Sequence, residues 1–109
     1  MMKKSDVYTY RVFWSDEDQE FVGTCVEFPS LSWLDATPEE AIAGIRKTVA
    51  RCIRDMNKSG EPLPQPLSAK SYSGKFMVRV PPHLHQRLAT QAAESGISLN
   101  RLVADKLSQ

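Results

Sequence analysis

The chain predicts an α+β protein built from two small units in series. The first is a β-β-β-α unit. The second is a strand-helix-helix unit that completes itself only by pairing with another copy. Three observations predict this. Two aromatic and β-branched runs near the N-terminus are joined by a short polar turn. A well-capped amphipathic helix follows them. A proline-rich stretch then leads to a lone alternating run and two short helical patterns.

"YTYRVFW", Tyr8 to Trp14, has strand composition, and so has "FVGTCVEF", Phe21 to Phe28. The polar "SDEDQE" between them makes the pair an antiparallel hairpin. Gly23 is a candidate bulge inside the second run. Pro29 ends that run, and Leu31 to Leu34 is a short third strand. "DATPEEA" announces a helix: Thr37 is the N-cap, Pro38 suits the first helical position, and Glu40 completes a capping box. Glu39 and Glu40 favour the positive end of the helix dipole. Ile42, Ile45, Val49, Cys52, Ile53 and Met56 recur as one apolar stripe that covers a sheet face. Gly60 is the natural stop.

"GEPLPQPLSAKSYSG", Gly60 to Gly74, has three alternating prolines and no hydrophobic period, and reads as a semi-extended linker. From Lys75 to Val80 the pattern alternates. Phe76, Val78 and Val80 share one face, and Lys75, Met77 and Arg79 the other. Pro81 and Pro82 end this strand and open a helix with Leu84, Leu88, Ala89 and Ala92 on its stripe. Gly96 closes that helix. Ser98 caps the next one, which carries Leu99, Leu102, Val103 and Leu107 on one face. The expected domains are therefore 1–60 and 75–109, joined by a linker at 61–74.

The 109 residues, 41% hydrophobic and 25% charged, are ordinary for a globular protein. No apolar run approaches the roughly 18 residues of a membrane span, and the N-terminal lysines are not followed by an apolar core. A cytoplasmic protein without membrane attachment is expected. Cys25 and Cys52 read as free thiols, with no Cys-x-x-Cys spacing to suggest metal or redox work.

The net charge of +1 hides an asymmetry. Residues 1–69 carry 8 Lys and Arg against 11 Asp and Glu, a balance of −3; residues 70–109 carry 6 against 2, a balance of +4. Opposite balances suggest two different partners.

The lone strand at 75–80 poses a question of pairing. A unit of about 35 residues rarely buries enough apolar surface without metal, disulfides or a second copy. The simplest solution is a homodimer in which two such strands pair antiparallel about a two-fold axis and four helices cover the apolar face. The outer face of that ribbon then shows Lys75, Met77 and Arg79 twice over. A two-stranded ribbon fits the major groove of DNA.

These residues carry a resemblance. "GKFMVRVPPHLHQRLATQAAESGISLNRLVADKL" resembles a ribbon-helix-helix DNA-binding domain, as in the Arc and MetJ repressors. Upstream, "FVGTCVEFPSLSWLDATPEEAIAGIRKTVARCI" resembles the N-terminal domain of HicB antitoxins, through a strand ending in Phe-Pro and "DATPEEA" at a helix start. One subgroup of HicB proteins joins these two domains in this order. A glycine often precedes the Asp-x-Thr segment in that family, where this chain has Leu34.

The resemblance implies a truncated RNase H-like first domain and a ribbon-helix-helix second one. It implies an antitoxin of a bacterial toxin–antitoxin pair, which blocks a HicA-type mRNA-cleaving toxin and represses its own operon by binding operator DNA. The outward strand residues Lys75, Met77 and Arg79 would contact bases, and Ser98, Leu99 and Asn100 at a helix start would hold a DNA phosphate. Unpaired N–H groups at a helix start suit an anion. Arg79 suits guanine, and Met77 suits a thymine methyl. The same Lys75 and Arg79 also read as solvated charges that protect an edge strand.

A toxin that grips RNA should be basic, so the acidic half is the expected toxin-binding part. Asp16, Glu17, Asp18 and Glu20 are candidate toxin contacts, though they also read as a solvated turn. Trp33, and likewise Trp14, is a candidate interface anchor or a core residue. Homodimerisation is expected through the C-terminal strand, with a tetramer left open.

Catalysis is not expected. RNase H-type chemistry needs carboxylates gathered around two metal ions, and "YTYRVFW" has none. His83 and His85 sit two apart at a helix start and do not share a face. No catalytic residue, metal or cofactor is expected. Two other readings stay open: a dimeric repressor whose first domain senses a small molecule, and an RNA-binding module, which the acidic balance of residues 1–69 opposes.

Overall fold

The computed structural model describes residues 3–109. It divides into two compact units, one reaching to Tyr72 and one from Ser73 onward.

The first unit is an antiparallel meander of β1 (Tyr10–Ser15), β2 (Glu20–Cys25) and β3 (Ser32–Asp35), in the order β1-β2-β3. Helix α1 (Pro38–Ser59) lies across one face. Each strand begins or ends one to three residues from its expected limits. The second strand stops at Cys25 because the chain turns there: Phe28 N donates to Cys25 O at 3.2 Å, and Leu31 N to Phe28 O at 3.0 Å.

Gly23 is not a bulge. The ladder runs through it without interruption, Val12 to Gly23 on one side and Gly23 to Trp33 on the other. The glycine serves a close approach instead: a Cβ there would lie 2.6 Å from the Ala41 carbonyl oxygen and 2.9 Å from Ile45 Cγ2. Its missing side chain lets α1 settle onto the middle strand.

Helix α1 begins at the expected cap, but Glu40 does not close the capping box expected of it. Thr37 Oγ1 accepts from Glu40 N at 3.1 Å, with Pro38 in the first turn. It ends in a Schellman motif, with Gly60 at φ +75° and Glu61 N donating to Met56 O at 2.9 Å. Its buried face is Ala41, Gly44, Ile45, Val49 and Ile53, one residue wider toward the N-terminus than the large apolar side chains alone indicate. Ile45 and Val49 are fully enclosed with Cys25, and Tyr8 meets Phe28 edge-on at 5.1 Å. Each enclosed aliphatic side chain stabilises the unit by roughly 1.5–3 kcal/mol.

A short 3-10 helix at Lys4–Val7 precedes the sheet, a feature absent from the sequence reading. Asp6 pairs there with Arg46 of α1 and accepts from Lys3 N at 2.8 Å.

The proline-rich stretch is laid down on this first unit. Tyr8 Oη donates to Pro64 O at 2.7 Å, and Ser68 Oγ to Val7 O at 3.0 Å. Leu63 packs on the core cluster, Pro66 is buried, and Leu67–Ala69 forms a 3-10 turn. The prolines lose little chain entropy on docking because their φ is already fixed.

The second unit holds α2 (Pro82–Ser95) and α3 (Leu99–Leu107). Helix α2 starts at the expected Pro82 and closes in a second Schellman motif, where Ile97 N donates to Ala92 O at 3.1 Å. Helix α3 is capped by Ser98, whose Oγ accepts from Arg101 N at 3.0 Å. Residues 75–80 form no ladder in the single chain.

Candidate functional site

In the second unit the apolar face expected to be covered is bare. Phe76 is 77% exposed, Val78 63% and Val80 40%. In this unit only Ala92 is buried. An open groove of about 930 Å³ runs between the 75–80 segment and the two helices, lined by Phe76, Val78, Leu84, Leu88, Val103 and Leu107 among others. Such a unit lacks a core of its own.

Lys75, Met77 and Arg79 are exposed, with Met77 at 83%. Ser98, Leu99 and Asn100 stand together at the start of α3. The Ser98 hydroxyl is committed to its own helix as the cap, which leaves the backbone N–H groups of the first turn as the donors available to an anion. His83 and His85 are exposed in the first turn of α2.

In the first unit Asp16, Glu17 and Asp18 form the β1–β2 turn, and Glu20 opens β2 opposite Ser15. Part of this acidity is structural. Ser15 Oγ donates to Asp18 Oδ2 at 2.9 Å, and Gln19 Nε2 donates to Asp16 O at 2.7 Å and to Asp16 Oδ1 at 3.2 Å. Gln19 sits at φ +54°, the left-handed corner of the turn. Glu17 is exposed.

Trp33 lies on the helix side of the sheet, over Gly44: a Cβ at Gly44 would fall 2.1 Å from Cδ1 and Nε1 of its indole. Its Nε1 donates to Asp35 Oδ2 at 3.0 Å. It is thus seated against α1 while 43% exposed. Trp14, on the same side, meets Phe21 edge-on at 5.1 Å.

Beside Trp33 is a carboxyl pair, Asp35 with Glu40, of which sequence reasoning gave a role, helix capping, to Glu40 alone. The Asp35 carboxyl is held below its usual range by its hydrogen bond with the Glu40 carboxyl, then by those from Trp33 Nε1 and Ala36 N. The same contact and the Asp35 charge push Glu40 up.

Sequence reasoning also missed Glu27. Its carboxylate accepts from Thr9 N at 2.9 Å, Thr9 Oγ1 at 3.0 Å and Leu67 N at 3.0 Å. Partial burial pushes its pKa up, but the hydrogen bonds from Leu67 and Thr9 outweigh that and hold it at about 2.

The other face of the sheet was also missed. Gly23 points at the helix, so Val22 and its cross-strand partners Phe13 and Leu34 point away from it. They form one apolar row across all three strands. Phe13 is 51% exposed and Leu34 39%, flanking Val22 at 8%. The chain from Val12 to Ile45 carries Asp16, Glu17, Asp18, Glu20, Glu27, Asp35, Glu39 and Glu40, with no Lys or Arg.

Among the described residues no group of three or more His, Cys, Asp and Glu side chains is gathered as for a metal ion. No helix among them is long and apolar enough to cross a membrane.

The two units thus define a small α+β chain with an acidic, well-packed first part and a basic second part whose apolar face is open. The HicB family model matches residues 59–107, a little under half of the chain. The match covers the docked proline-rich stretch and the second unit; the segment 21–53, which also carries the resemblance, lies outside it. No curated protein and no solved structure matches the chain.

Proposed function

We propose that the chain neutralises a HicA-type mRNA-cleaving toxin through its first unit and represses its own operon through a homodimer of its second. The observation that carries this reading is the 75–80 segment: apolar Phe76, Val78 and Val80 alternate with Lys75, Met77 and Arg79, and all lie exposed in a unit whose only buried residue is Ala92. Antiparallel pairing with a second copy would satisfy the backbone of this segment and cover its apolar side. The same pairing would place two copies of Lys75, Met77 and Arg79 on a ribbon of the width the DNA major groove accepts. The N–H groups of Leu99 and Asn100 would then hold a backbone phosphate and fix the register.

The β-β-β-α arrangement of the first unit supports its reading as a truncated RNase H-like domain. Its acidity supports a basic protein as its client.

Co-expression with the short neighbouring reading frame tests the proposal. The expected result is that the neighbour is toxic alone, co-purifies with this chain, and that the complex shifts the joint promoter in a gel. A harmless neighbour that does not co-purify would leave a dimeric repressor with a sensing first domain as the better reading.

A further inference from the structure

We infer that the toxin docks on the open face of the β-sheet, against the row Phe13, Val22 and Leu34, rather than on the helix side that holds Trp33. The inference rests on the function proposed above and names the surface used.

Gly23 faces α1, so every second residue along β2 faces away, and the ladder sets Phe13 and Leu34 beside Val22. A half-covered antiparallel sheet normally turns polar residues to water. Here the central row is apolar across three strands, and its aromatic member is the most exposed of the three. An exposed aromatic side chain in one row with two aliphatic ones suits an interface centre. By contrast, Trp33 is already engaged by Gly44 and Asp35 within its own unit.

Charge selects the occupant. The next outward pair toward the turn is Ser15 and Glu20, and Asp16, Glu17 and Asp18 follow in the turn itself. The apolar row is therefore rimmed at one end by four carboxylates, with Arg11 alone at the other end. Among the outward-facing strand residues Arg11 is the one basic side chain, so the same sheet face of a second copy complements that rim poorly. A basic, RNA-gripping protein brings the complementary charge, which speeds encounter and fixes orientation.

The probe is the purified product of the neighbouring short reading frame, titrated into the full-length chain at low salt. Two sets of variants separate the contributions. Phe13→Ser with Leu34→Ser removes the apolar row. Glu17→Lys with Glu20→Lys reverses charge at positions that make none of the turn's side-chain hydrogen bonds. Circular dichroism and thermal melts establish that each variant folds. The expected result is binding weakened by about tenfold or more in the first set, and a slower, less salt-dependent association in the second. Arg79→Ala should bind the toxin as the wild type does.

If both folded sets bind the toxin as the wild type does, the docking face is wrong and the proposed function stands. If the wild type itself does not bind the neighbour's product, both fall. If the Phe13 and Leu34 variants lose self-association and keep toxin affinity, the face belongs to a second copy and the inference is overturned.

Discussion

The Glu27 carboxylate accepts a hydrogen bond from Leu67 N at 3.0 Å, joining the end of the sheet to a residue forty positions further along the chain. The same carboxylate holds Thr9 through its N–H and its hydroxyl. One side chain therefore fixes the entry to β1, the exit from β2 and the proline-rich strap together.

Glu27→Gln should destabilise the first unit by about 1–3 kcal/mol, since hydrogen bonds to a charged acceptor weaken and one oxygen becomes a donor facing N–H groups. Urea denaturation checks this. Hydrogen exchange at the Leu67 amide should accelerate in parallel.

The same residue sets an acid limit. Its pKa is depressed from 4.5 to about 2 in the folded chain. Its stabilising contribution is present above the unfolded value and is lost as pH falls from about 4.5 through about 2. Stability measured across that window should fall with acidification in the wild type, with a shallower slope in Glu27→Gln.

Gly44→Ala distinguishes propensity from packing. In an exposed helix the change stabilises by about 1 kcal/mol. Here the added Cβ would meet the Trp33 indole at 2.1 Å. The ring must leave its seat, with a net loss of roughly 1–3 kcal/mol and a red shift of tryptophan emission.

Phe76→Asp should convert the proposed dimer to a monomer in sedimentation, because it buries a charge between two copies of the apolar face. The second unit's helical signal should fall with it. An unchanged dimer would mean that the copies meet elsewhere.

Arg79→Ala should leave the dimer intact and weaken operator binding, with a loss of about 1–3 kcal/mol in base discrimination. Gel shifts against the joint promoter and against a scrambled duplex measure both the affinity and the discrimination.

The elements were legible where local chemistry fixed them. Thr37 and Pro38 announced α1 to the residue, and Gly96 and Ser98 marked the corner between α2 and α3. The strap was not legible, since Pro62, Pro64 and Pro66 give no hydrophobic period. What holds it is a set of long-range bonds from Tyr8, Glu27 and Ser68. Gly23 misled for a similar reason: the sequence shows a strand glycine, but only tertiary packing tells a bulge from a close approach. The open sheet face had a signal in the alternation of Arg11 and Phe13, but its composition matches that of a buried face, and the side covered by α1 is decided by Gly23 and Gly44. Among the candidate contacts, Asp16 and Asp18 proved partly occupied by the turn, which residue type alone does not reveal.

The bare groove beside the 75–80 segment has a consequence for dosage. If a second copy is what closes it, folding of this unit is a bimolecular event, and its free energy scales with the logarithm of protomer concentration. Below the concentration at which half of the copies are paired, the amount of closed unit then rises more steeply than in proportion to the chain present. In that range a cell that degrades half of its stock would lose more than half of the closed unit, which would report abundance without any ligand at all.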